Sequence, residues 1–372
     1  MHKKHLNKVN NVLFYLEQRC GIYFTSLIIA FLLLCIAAIY VTPAMAPMQL
    51  GRGYAALSIA PFDFSEQNYL RYRILTPFLA YCVGLRGSLY ILFPLIISLF
   101  FLSTIYFYIR KTHKASESLL ITMLICFSTP VLFLLHFQGY VDITSYLLIL
   151  LIIFFIKKPF ICIIFLSLLL LNHASNIFSI PFLFFYYYKN SPDKLKSTIY
   201  SITGIGLAFI PFYCYRNYIS AYSGIEYHFE TYRSQIIENI NTVASHFLIG
   251  VFFAFKLFWL IVLFALYYYW KEKNNQQLLL FVVIIIPSFA QMLLASDTSR
   301  FIGSAFPAIL FGAIKLKEQW GTELFLKRTF YLILINFLIP QYYVGQSVMI
   351  RFYPLPSSLI YKYVFGIETW VG

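Results

Sequence analysis

What most limits how this chain can fold is a series of long apolar segments almost free of charge, such as residues 22–41, 89–109 and 119–136. A helix needs about 20 such residues to cross the hydrocarbon core of a bilayer, fewer where the membrane thins. Inside that core only helices and closed barrels pair every backbone polar group. The runs here are continuous and lack the alternation of a barrel strand, so strands are not expected and the class is an all-α polytopic membrane protein. Composition agrees: 60% of the 372 residues are hydrophobic and 11% charged, outside the range of soluble domains.

The net charge of +14 does not point to nucleic acid, because the basic residues stand mostly singly between apolar runs and form no stripe. They read instead as orientation signals. Six cysteines (Cys20, Cys35, Cys82, Cys126, Cys162 and Cys214) are scattered without CxxC or histidine spacing, so neither a zinc motif nor a disulfide framework is indicated. Ala44-Met45-Ala46 resembles a cleavage site, yet the apolar run before it is long for a signal peptide, and an uncleaved first span is expected.

With Lys3, Lys4, Lys8 and Arg19 in the cytoplasm, span 22–41 leads outward and 42–73 becomes an external loop. Residues 74–85 are then assigned to a short helix lying at the interface, because a full span there would put Arg110, Lys111 and Lys114 outside. Further spans are placed at 89–109, 119–136, 143–156, 160–171, 177–188, 198–215, 247–269, 278–295, 301–314 and 329–344, about eleven in all. This threading puts 18 of the 28 Lys and Arg in cytoplasmic segments and 9 outside, with Lys256 alone inside a span. One membrane domain over 1–372 is expected. It has a cytoplasmic stretch at 1–21, an external loop and juxtamembrane helix at 42–88, a second external loop at 216–246 and an external tail at 345–372.

Charge at membrane depth is expensive, so its placement is informative. Four pieces fall on the external side: Asp63 and Glu66 with Arg71 and Arg73; His136-Phe137-Gln138-Gly139-Tyr140-Val141-Asp142; Asn172-His173-Ala174-Ser175-Asn176; and Asp297-Thr298-Ser299-Arg300. A site joining a lipid-borne phosphate to a polar acceptor needs a cation for the phosphate, a carboxylate to take the acceptor proton, and access from the bilayer. Arginine suits the phosphate through its planar, permanently charged fork, and Asp63 or Glu66 could serve as general base. Each piece also has a plainer reading. Asp142 could cap a helix, Asp297 and Arg300 could neutralise each other at a turn, Arg71 and Arg73 could anchor a helix to headgroups, and His173 could be a structural histidine.

The order and common sidedness of these pieces resemble the bacterial GT-C membrane glycosyltransferases. The likeness covers 63–307: an acidic first loop, then Tyr72-Arg73-Ile74-Leu75-Thr76-Pro77, Gly139-Tyr140-Val141-Asp142, Asn172-His173, and Asp297-Thr298-Ser299-Arg300 before Phe306-Pro307. The resemblance implies transfer of a sugar from a polyprenyl-phosphate donor to a glycan, lipid or protein acceptor on the non-cytoplasmic face of a bacterial inner membrane. It makes Asp63 the candidate base, with Glu66 beside it, and Arg71, Arg73 and Arg300 the candidates for donor phosphate, with His136, Asp142, His173 and Asp297 completing the substrate set. Ala174 stands where an acidic residue often comes after the Asn-His pair, so no cofactor is assigned and a divalent metal is left open. Competing readings are an O-antigen or capsule polymerase, for which the late external loop is short, a transporter or flippase, for which no repeat is evident, and a scaffold subunit.

Overall fold

A computed structural model describes residues 2–41, 43, 46–63, 69–223, 229–291, 298–339, 341–344, 349–352, 363–364 and 366. The described chain is almost wholly helical. Five helical stretches are long and apolar enough to cross a bilayer: Asn10–Val41, Gly87–Arg110, Lys194–Tyr222, His246–Lys271 and Thr298–Leu338. A sixth forms if Ala115–Cys126 and Thr129–His136, bent by 50° at their junction, count as one span.

The helices are α1 (His2–Val41), α2 (Leu50–Leu57), α3 (Leu75–Cys82), α4 (Leu92–Arg110), α5 (Ala115–Cys126), α6 (Thr129–His136), α7 (Asp142–Phe154) and α8 (Pro159–Asn172). They continue as α9 (Ile180–Asn190), α10 (Lys194–Ser223), α11 (Phe229–Phe255), α12 (Trp259–Lys271), α13 (Asn275–Ala290), α14 (Thr298–Ile302) and α15 (Phe306–Leu338). In the core, α4 packs against α1, α5 and α7, α8 joins α7 to α10, and α15 lies on α5 and α12. Two breaks divide long helices, at Gly21 (φ 77°) in α1 and at Gly321 (φ 69°) in α15.

Several expectations are corrected. The helices at 142–154, 159–172 and 275–290 have only 13, 14 and 16 residues, and at about 1.5 Å per residue each falls short of a 30 Å core. The eleven full spans are therefore not what this geometry supplies, whereas the class of helical membrane protein stands. The segment at 216–246 is not an open loop, since α10 runs on to Ser223 and α11 begins at Phe229. The span read as continuous over 247–269 is broken at Lys256, a non-glycine residue at φ 48°. The last span ends at Leu338, before Pro340, and the chain then turns into an antiparallel hairpin of β1 (Gln341–Val344) and β2 (Met349–Phe352), a strand pair that the apolar pattern did not suggest. The short helix expected over 74–85 is α3.

The two ends of the bundle differ in chemistry. At one end the first part of α1, the α4–α5 turn, the α12–α13 turn and the break in α15 meet through ion pairs. Glu17 holds Arg110 at 2.8 Å, Glu272 holds Lys315 at 2.6 Å, and the buried Glu117 accepts from Thr322 at 2.6 Å with Lys317 3.9 Å away. All belong to segments that the charge pattern assigned to one side. The other end carries a cluster built around Arg73, Asp142 and Arg300.

Candidate functional site

The cluster begins with how α2 is seated. Met48 N–H donates to the Gln138 carbonyl at 3.0 Å, and Gly51 approaches Gln138 and Gly139 so closely that a Cβ on Gly51 would overlap the Gln138 oxygen. Gly139, at φ 94°, adopts a backbone conformation that favours glycine. This backbone contact turns the buried Tyr54 inward, where its hydroxyl accepts from Arg73 Nη1 at 2.9 Å. Burial pushes the Tyr54 phenol above its ordinary range, and the charges of Arg73, Asp142 and Arg300 all act on it.

Below α2, a neutral hydrogen-bonded lattice fixes the walls. Thr76 of α3 donates to Asn172 Oδ1 at 2.6 Å and lies 2.8 Å from Thr144 Oγ1. Asn172 Nδ2 donates to the Val141 carbonyl and to Ser145 Oγ, and Asn176 Nδ2 donates to Ser145 Oγ and the Leu169 carbonyl. Three helices and the 3-10 turn after α8 are locked in register this way. A Thr76→Val change keeps the shape and leaves buried Asn172 short of a donor, so about 1–3 kcal/mol of stability should be lost. Thermal unfolding in detergent measures this, and an unchanged midpoint would show that the lattice is not structural.

Charge sits at the mouth of this lattice. Asp142 is the first residue of α7, one past the N-cap Val141, and faces Arg300 of α14 at 3.6 Å, with side chains 15% and 3% exposed. The Arg300 guanidinium also lies over the rings of Phe301 (4.5 Å) and Tyr140 (5.3 Å). Its backbone carbonyl accepts from the Tyr146 hydroxyl at 3.0 Å, and Ser299 Oγ accepts from Val344 N–H of the hairpin at 3.2 Å. Arg73 is half-buried, with its one hydrogen bond among the described residues going to the neutral Tyr54.

His173 completes the group. Its Nδ1 accepts from Ser175 N–H at 3.1 Å and lies 2.7 Å from Ser175 Oγ. That acceptance requires a lone pair on Nδ1, so the neutral ring carries its proton on Nε2. Burial, reinforced by the charges of Arg73 and Arg300, holds the imidazole well below the ordinary histidine range. Nε2 is buried and has no hydrogen-bond partner among the described residues.

Of the residues expected at the site, the structure brings Arg73, Asp142, His173 and Arg300 together. His136 ends α6, partly buried with its ring against Phe137. Arg71 is buried on the side of Tyr215 in α10, whose hydroxyl donates to the Arg71 carbonyl. Two residues along a 3-10 turn of three residues per turn, Arg71 and Arg73 leave in different directions. Asp63 is exposed on the turn after α2, next to Phe62, which packs on Phe78 of α3. Glu66 and Asp297 lie outside the described residues. Tyr54 belongs to the cluster and was not singled out in the sequence, whereas Thr76 and Asn176 of its walls stood inside motifs without a role assigned to them. Among the described residues no three His, Cys, Asp or Glu side chains group as a metal site. The chain matches no protein-family model and no curated protein, which leaves the geometry of this cluster as the ground for assigning a chemistry.

Proposed function

We propose that this chain is a membrane glycosyltransferase that moves a sugar from a polyprenyl-phosphate donor to a cell-envelope glycan, lipid or protein at the end of the bundle opposite the lysine-rich one. The observation that carries the reading is the convergence of two guanidiniums. Arg73 and Arg300 act on the same small set of groups, and among the described residues Asp142 is the carboxylate ion-paired there. Two guanidiniums drawn close in a low-dielectric site repel each other. A phosphate between the two guanidiniums offsets that repulsion, and arginine forks suit its geometry. Asp142 and Tyr54 aim the two arginines, and His173 Nε2–H donates to a phosphate oxygen without adding charge.

In the proposed reaction the acceptor hydroxyl oxygen attacks the anomeric carbon while the carbon–oxygen bond to the donor phosphate breaks. The electron pair leaves with the lipid phosphate, which the arginines and His173 stabilise as charge develops on it. The acceptor proton passes to a carboxylate. The base role goes, as the resemblance implies, to Asp63, which is exposed on the turn after α2. The resemblance to bacterial GT-C enzymes and an inner-membrane location with a cytoplasmic N-terminus belong to the same proposal.

The test is complementation of a source strain lacking the gene, with surface glycans read by mass spectrometry. Wild type should restore one sugar substituent and Asp63→Asn should not. His173→Ala should slow transfer by about ten- to a hundred-fold, the worth of one hydrogen bond to a charged group, and His173→Gln should recover part of it. Full restoration by a folded Asp63→Asn variant would remove the assigned base. Shortened chains with intact repeat units would indicate a polymerase, and unchanged glycans would remove the transferase reading.

A further inference from the structure

A second charged site lies at the opposite, lysine-rich end and is independent of the proposed chemistry. A cleft of about 630 Å³ opens between the first part of α1, the α4–α5 turn and the break in α15. Its lining includes Arg110, Lys111, His113, Lys114 and Lys317, with Glu117 as its one carboxylate. Glu17 neutralises Arg110 at 2.8 Å, and Glu117 faces Lys317 at 3.9 Å. Lys111 and Lys114 remain exposed, with no carboxylate partner among the described residues, and Lys111 Nζ rests over the rings of Phe154 (4.1 Å) and Phe107 (4.8 Å). Among the described residues the cleft therefore carries about two unmatched positive charges, the complement of a phosphate.

The wall of the cleft says where that phosphate comes from. Along α1, Leu13 is buried and Glu17 partly buried against the bundle, whereas Val12 and Tyr15 on the outward side are 52% and 50% exposed, and Phe14 at the cleft mouth is 52% exposed. A helix with apolar groups facing away from the protein and charge beside them lies in a membrane surface. Arg110 ends the apolar helix α4, which sets the cleft at headgroup depth. We infer that this cleft binds the phosphate headgroup of an anionic phospholipid, which clamps the first helix to the α4–α5 turn. Basic pockets between membrane helices recognise such headgroups through the same unmatched lysines.

The experiment delipidates the purified full-length protein, adds back phosphatidylglycerol or phosphatidylcholine, and counts retained lipid by native mass spectrometry. Phosphatidylglycerol should be retained in preference, and a K111Q/K114Q double variant should weaken that retention about ten-fold or more. K111R/K114R should keep it, as should Arg73→Gln at the far end. Both lysines are exposed, so the variants should fold, with helical circular dichroism as the check and single K111Q as the substitute if the double variant does not. Equal retention of the two lipids, or retention unchanged in K111Q/K114Q, would overturn the proposal. So would dependence on Arg73, which would place the lipid in the other site, or displacement by soluble glycerol phosphate at matched concentration, which would make the ligand a free phosphate.

Discussion

Replacing Arg300 with glutamine is expected to abolish sugar transfer and to destabilise the protein by about 2–4 kcal/mol, somewhat less than the full cost of breaking a buried ion pair because Asp142 keeps 15% of its surface. The two losses have separate causes. Stability falls because Asp142 is left facing a neutral group. Activity falls because one of the two guanidiniums assigned to the donor phosphate is gone. A double variant, Arg300→Gln with Asp142→Asn, should recover most of the stability and none of the transfer, giving a coupling energy readable from thermal or denaturant unfolding. Arg300→Lys should fold well and transfer slowly, since an ammonium keeps the charge and loses the fork. Recovery of transfer in the double variant would mean that Arg300 serves only to hold α14 against α7.

The second large effect is expected at Gly51. A methyl group there would overlap the Gln138 carbonyl oxygen and crowd the Gly139 Cα, and both are backbone atoms of a loop pinned by the Met48 hydrogen bond. Overpacking of this kind costs about 1–3 kcal/mol or more. Because α2 must lift to relieve it, Tyr54 would leave Arg73, so Gly51→Ala should lose transfer activity well beyond what its loss of stability explains. Gly53, two residues on, is the internal control. A Cβ at Gly53 would meet only the terminal carbon of the flexible Leu70 side chain, which can rotate away. Transfer assays and melting curves on the pair should separate them clearly, and equal behaviour would show that the α2 contact does not position the site.

Much of this was legible in the sequence because a bilayer is an unforgiving solvent. Charges flanking apolar runs sorted Arg110, Lys315 and Lys317 to one end and Arg73, Asp142, His173 and Arg300 to the other, where the structure pairs the first three with Glu17, Glu272 and Glu117 and groups the other four. What escaped was neutral or depended on partners distant in sequence. Tyr54 looks like an ordinary residue of a loop and Thr76 stood in a motif without a role, and only the approach of Gly51 to Gly139 and of α3 to Asn172 gives them one. Lys256 offered no signal of its partners, the Tyr40 hydroxyl at 3.1 Å and the Ile339 carbonyl at 2.9 Å, which pin the helix break to the ends of α1 and α15. Helix lengths were misjudged where apolar runs are short, since a run of 13 or 14 residues reads the same whether it crosses a membrane or ends within it.

The proposed function rests on Arg73 and Arg300 forming a seat for the phosphate of a lipid donor. The most direct test compares binding of a polyprenyl phosphate and of the matching uncharged polyprenol to the purified full-length protein in detergent, for wild type and for Arg73→Gln. Wild type should prefer the phosphate by about ten-fold or more, and this preference should collapse in the variant while polyprenol binding stays the same. Equal affinity of wild type for the two lipids, or a preference that survives loss of Arg73, would contradict the phosphate seat.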